Sequence, residues 1–109
     1  MEDKNIFKGL FMTVTVLEDR LRIDQNDGYL KKHLEESYDE ILFEDIDLNH
    51  IECAMARSVI IRGCFTIPLN RKVTFNNVFK GKSKEIKIWF GKDGNEPFEK
   101  LRELLMAMR

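Results

Sequence analysis

The chain has 109 residues, 43% of them hydrophobic and 34% charged, with a formal net charge of −1. One domain fits that length, and a second core does not. The apolar residues are too plentiful for a disordered chain, and no run reaches the ~18 consecutive apolar residues of a membrane-spanning helix.

The segment Lys8 to Leu17 alternates. Leu10, Met12, Val14 and Val16 fall on one face, and Phe11, Thr13 and Thr15 on the other, which predicts a strand. Glu18-Asp19 predicts a tight turn, and Leu21 and Ile23 a second strand, giving a hairpin. Asp24 to Gly28 reads as a loop by composition. From Tyr29 to Glu40, the residues Leu30, Leu34, Tyr38 and Ile41 recur at helix-like spacing. That stretch reads equally as one or two helical turns or as a solvated loop.

Strand character returns over Glu40 to Ala56, carried by Ile46, Leu48, Ile51, Cys53 and Met55. Arg57-Ser58 marks a turn. Val59, Ile61, Gly63, Phe65 and Ile67 then share one face, and Pro68, which lacks a ladder donor, is expected to end that strand. Val73 and Phe75, with Val78-Phe79, make a further strand, and Lys80 to Ser83 a turn. Ile86, Ile88 and Phe90 alternate with Lys87 and Trp89 as a strong short strand. After the turn Lys92 to Asn95, the stripe Phe98, Leu101, Leu104, Leu105 and Met108 predicts an amphipathic helix over 95–109. Asn95 is its expected N-cap, and Glu96 with Lys100 its expected i, i+4 ion pair. A helix of ~14 residues is marginal alone, so its stripe must lie on the sheet.

Three segments carry a resemblance. They are the hairpin Thr13 to Ile23, the run Leu42-Phe43-Glu44-Asp45-Ile46 leading into Leu48 and Ile51, and Ile86-Lys87-Ile88-Trp89-Phe90 followed by a Gly turn and Phe98. In this order the chain resembles small bacterial members of the pleckstrin-homology-like superfamily. The resemblance implies a mainly β fold over 1–109, a barrel of about six or seven antiparallel strands capped by one C-terminal helix. It departs from the phosphoinositide binders of that superfamily at the first hairpin loop. They place lysines and arginines there, and this chain has Glu18 and Asp19.

Chemistry-bearing residues are sparse. Cys53 and Cys64 are the two cysteines, with no CxxC pair, and read as free buried thiols of a cytoplasmic protein. His50, Cys53 and Cys64 fall short of a zinc ligand set, and no serine sits in a nucleophile elbow. No catalytic residue, metal or cofactor is expected.

Charge is distributed unevenly. Residues 1–54 hold 14 acids against 6 Lys or Arg, and residues 55–109 hold 5 acids against 12. Glu35 to Glu52 carries eight carboxylates and reads as a solvated face. Arg57 to Lys92 carries nine Lys or Arg and a single acid. Within it Arg71, Lys72, Lys80, Lys82, Lys84 and Lys87 are the candidate anion-binding residues, with Trp89 a candidate surface aromatic. The competing reading has these lysines guard strand edges. The expected function is a non-catalytic binding or scaffolding module for protein–protein association, self-association included. The means would be strand addition or docking beside the helix. The alternative is an anion-binding domain for anionic membrane or nucleic acid.

Overall fold

The computed structural model describes residues 5–26 and 38–108. Four strands, β1 (Ile6–Lys8), β2 (Met12–Val16), β3 (Arg20–Gln25) and β4 (Tyr38–Leu42), form one antiparallel sheet in chain order. Three more, β5 (Glu52–Ala54), β6 (Gly63–Phe75) and β7 (Gly81–Phe90), form a second. A helix, α1 (Asn95–Met106), follows. The chain is thus mainly β with one C-terminal helix. Its strands fall into two separate sheets that do not close into one continuous barrel. No helix among the described residues is long and apolar enough to cross a membrane.

The registers explain the core. Phe7 pairs with Val14, Val14 with Ile23, Val16 with Leu21, and Leu21 with Ile41, and all of them are buried. Opposite residues in antiparallel strands share a face, so these rows make one apolar surface. In the second sheet Phe65 pairs with Ile88 and Ile67 with Ile86, again all buried. The helix lays Phe98, Leu101 and Leu105 between the sheets. Phe98 is the aromatic hub. Its ring stacks on Phe90 at 4.6 Å between centroids and lies 5.6 Å from Phe65 and 6.5 Å from Phe7. Gly63 makes room for Phe90, since a Cβ there would run into its ring.

Asp39 is the exception in the apolar rows. It pairs in register with Ile23 and is only 6% exposed. Its carboxylate is enclosed by the backbone of the β6–β7 connection. Oδ1 accepts from the N–H groups of Asn76 and Asn77 at 3.3 and 3.2 Å, and Oδ2 from those of Val78 and Phe79 at 2.6 and 3.1 Å. A buried carboxylate is tolerated when it is so fully hydrogen-bonded.

Several expectations are corrected. The strand foreseen over Lys8 to Leu17 is two strands, broken at Gly9-Leu10-Phe11. Asp24 and Gln25 belong to β3 instead of a loop, and Tyr38 to Glu40 to β4 instead of helical turns or a solvated loop. The rest of the 29–40 reading, Leu30 and Leu34 included, lies outside the described residues, as does His33. Pro68 does not end its strand: β6 continues to Phe75 through a register shift. The Pro68 carbonyl accepts from Asp47 N–H at 2.9 Å, on the side away from β7. The missing N–H faces that same side, so no β6–β7 rung is lost. Val78 and Phe79 are in the connection that binds Asp39, outside any strand. The helix stops at Met106, which leaves Met108 exposed beyond the stripe. Its ion pair is Arg102–Glu99 at 3.2 Å in place of Glu96–Lys100.

Candidate docking surface

Asn95 was expected to cap the helix. Gly94 holds the cap position, and Asn95 is already helical. Its amide turns instead to the loop that follows β5. Nδ2 donates to the Ala56 carbonyl at 2.9 Å, and Oδ1 accepts from the Ala56 N–H at 2.7 Å. This two-bond clamp fixes the base of the loop 55–62. Asn95→Ala is expected to lower stability by about 1–3 kcal/mol, because it strands a buried N–H and C=O together. Urea denaturation measures this, and Asn95→Asp, which keeps the acceptor alone, should fall between the two.

Beyond the clamp the chain turns on Ser58. The Ser58 Oγ accepts from the N–H groups of Ile60 and Ile61 at 3.2 and 3.0 Å, and the Arg57 N–H donates to the Ile61 carbonyl at 2.9 Å. A serine hydroxyl offered to nearby backbone competes with a sheet ladder. Val59 and Ile61 are therefore in a loop, and the expected strand starts only at Gly63. The turn projects Val59 and Ile60 into solvent, 94% and 88% exposed.

Two other segments meet this loop. The hairpin tip at Gly9-Leu10-Phe11 is held by the Leu10 N–H on the Trp89 carbonyl at 2.8 Å and by Asn26, whose Nδ2 donates to the Gly9 carbonyl at 2.8 Å. Gly9 is needed there, since a Cβ would sit 2.6 Å from the Trp89 carbonyl oxygen. Leu10, Phe11 and Trp89 are all at least 40% exposed. The Arg62 guanidinium lies 5.5 Å over the Phe11 ring. Phe11, Val59, Ile60, Arg62 and Trp89 line one groove. Beside it opens a cleft of about 530 Å³ where Lys8, Arg62 and Lys92 converge with Leu10, Val59 and Asp93 over a floor containing Gly9, Gly91 and Gly94. One end of the molecule is therefore apolar at its apex and cationic around it.

The basic residues singled out from the sequence are elsewhere, apart from Trp89. Arg71 and Lys72 lie where the β6–β7 register shifts, and Arg71 is bidentate to Asp45 at 3.0 and 3.2 Å. Lys80 and Gly81 take positive φ at the turn into β7, and Lys82 and Lys84 follow on its first residues, exposed. Lys87 is further along, with Glu85 at 3.7 Å. The lysines at 80, 82 and 84 gather at one end of β7, and Trp89 is near the other. Leu10, Phe11, Val59, Ile60, Lys8, Arg62 and Lys92 were missed as a group. The available signal was the unbroken run Val59-Ile60-Ile61 after a serine, which does not alternate.

The titratable candidates are placed apart. His50 Nδ1 lies 2.8 Å from Asp47 Oδ2 in an exposed turn. Cys53 pairs in register with Phe65, and Cys64 with Ala54, so the two thiols point to opposite faces of the sheet, and both are free. Burial pushes the Cys53 thiol up from 9.0 to about 11, with Glu99 adding to the rise and Arg102 opposing it. The folded chain keeps this proton where the unfolded chain has lost it. Stability is therefore expected to fall as pH rises from 9.0 to about 11. The urea midpoint should drop across that window, and drop less in Cys53→Ala; equal drops would place the effect in other groups.

Comparison of the chain with known protein families, characterised proteins and solved structures gives no match.

Proposed function

We propose that this protein is a non-catalytic binding module that docks on its partner through the apolar end. The carrying observation is the nearly complete exposure of Val59 and Ile60 on a loop that is clamped at its base. Isolated exposed aliphatics are ordinary, but a projecting cluster with Leu10, Phe11 and Trp89 is a contact surface. The order of elements among the described residues, four strands, three strands and a closing helix, supports reading the domain as pleckstrin-homology-like. So do the two seams between the sheets, Ile46 with Leu69 and Leu10 with Trp89, which favour the partly open barrel of that superfamily. A Cys53 thiol held protonated and a surface His50 support a role without catalysis.

Strand addition, the route expected for protein association, has less support. The Trp89 carbonyl points away from β6, so the backbone of Glu85 and Lys87 faces the same free edge. Ser83 Oγ already bonds both the N–H and the carbonyl of Glu85, and lysines flank the remainder. Such an edge is guarded against pairing. Anion binding by the predicted row also has less support, because Arg71 and Lys87 face carboxylates.

Replacing Val59 and Ile60 together by serine tests the docking role. The thermal midpoint should stay within what a change of about 0.5 kcal/mol produces, since no buried contact is lost. Retention on a phenyl resin should drop clearly. Unchanged retention would remove the apolar end from consideration.

A further inference from the structure

We infer that the apolar end is a membrane anchor, with Val59 and Ile60 entering the acyl region of an anionic bilayer while Lys8, Arg57, Arg62 and Lys92 hold its headgroup phosphates. The inference rests on the docking role proposed above and adds the chemistry of the partner.

Charge complementarity is the first argument. Arg20, Arg22, Arg71 and Arg102 each lie within 3.2 Å of a carboxylate. Arg57 and Arg62, which bracket the apolar run, make no ion pair among the described residues, and neither do Lys8 and Lys92. Three of these cations, Lys8, Arg62 and Lys92, line the cleft beside the apex against one lining acid, Asp93, and Arg57 precedes the apolar run in the chain. The chain as a whole is slightly acidic at −1, so this is a local concentration of positive charge. Basic residues beside an apolar tip are what an anionic leaflet attracts. The cleft of about 530 Å³ has room for a phosphate group beside Lys8, Arg62 and Lys92.

Shape is the second argument. Exposures of 94% and 88% mean that Val59 and Ile60 stand clear of the body. A protein partner would need a pocket cut to that apex, whereas a bilayer closes around any projecting apolar group. A second copy meeting tip to tip would bring Arg57 and Arg62 of both chains together, a like-charge contact at a self-complementary interface. Trp89 and Phe11 sit behind the apex, where amphipathic and aromatic side chains suit the headgroup boundary.

Cosedimentation of the full chain with vesicles is the test, one set of phosphatidylcholine alone and one with about one-third phosphatidylglycerol. The chain should pellet with the anionic set only, with Trp89 emission shifted to the blue. Affinity should weaken as salt is raised, because the screening length shrinks to about 8 Å at physiological ionic strength. Ile60→Asp should lower vesicle affinity at least ~ten-fold, and Arg62→Gln about five-fold. Both variants should keep the wild-type thermal midpoint. Lys82→Gln with Lys84→Gln, roughly 15–25 Å along β7, should leave the affinity unchanged. Failure of the wild-type chain to bind anionic vesicles overturns the inference, as does binding that Ile60→Asp leaves intact or that the β7 lysines carry. If vesicles fail but Ile60→Asp abolishes a concentration-dependent association seen by lipid-free sedimentation, the partner is a second copy and the docking role stands. If the Ile60 and Val59 variants match the wild type in vesicles, sedimentation and phenyl retention alike, the docking role falls with it.

Discussion

Asp39→Ala is expected to lower the stability of this domain by about 3–4 kcal/mol. The carboxylate serves four backbone N–H groups, those of Asn76, Asn77, Val78 and Phe79, and it is nearly sealed from water. Alanine leaves all four donors to find new partners. Some reach water as the connection loosens, which keeps the loss below the sum of four separate bonds. A change of that size corresponds to a fall in melting temperature of roughly 15 °C or more in a chain of this length. Asp39→Asn retains one acceptor oxygen and should show about half the effect. The charged acceptor matters because hydrogen bonds to an ionised group contribute about twice those between neutral groups. A thermal midpoint in Asp39→Ala within a few degrees of wild type would mean that the connection holds its shape without the carboxylate.

Phe98→Ala is expected to cost about 3–5 kcal/mol. The ring is fully buried and touches aromatic rings from both sheets, Phe7 in one and Phe65 and Phe90 in the other. Its removal opens a cavity where the helix meets both sheets. Phe98→Leu fills most of that volume and should cost less than half as much. The stacked geometry with Phe90 adds about 0.5–1.5 kcal/mol beyond area, and leucine cannot restore it. Against a typical total of about 5–15 kcal/mol this is a large share of the stability, and the melting temperature should fall by roughly 15 °C or more. Far-ultraviolet circular dichroism across a thermal ramp reads this, and a loss under about 1 kcal/mol would show that the core closes over the gap.

Strands with strict alternation were legible from the sequence. Ile86, Ile88 and Phe90, or Val14 and Val16 against Leu21 and Ile23, need only their local period to declare a buried face. The helix stripe through Phe98, Leu101 and Leu105 was legible for the same reason. What stayed hidden depends on partners distant in the chain. Asp39 sits in a run of carboxylates, and its partners are backbone N–H groups nearly forty residues away that leave no mark in residue type. Asn95 has the residue type of a cap, yet its amide is used 39 residues back at Ala56. Val59 and Ile61 keep step with Phe65 and Ile67, but the apolar Ile60 between them breaks the alternation, and the Ser58 hydroxyl turns the run into a loop. The docking end is assembled from hairpin tip, loop and strand terminus, three segments far apart in sequence. Single residues such as Trp89 could be noticed, but their neighbourhood could not. The lysines of β7 drew attention because charge clusters are visible in a linear reading and apolar clusters from separate segments are not.

The Asn95 clamp makes the exposed loop and the closing helix a single thermodynamic unit. Any ligand that favours the clamped form of the loop must stabilise the seated helix by the same free energy, since linkage is reciprocal. Occupancy at the tip would then be readable far from it, as slower hydrogen exchange along α1. Loosening of the helix would likewise report itself as weaker binding at a surface the helix stripe never touches.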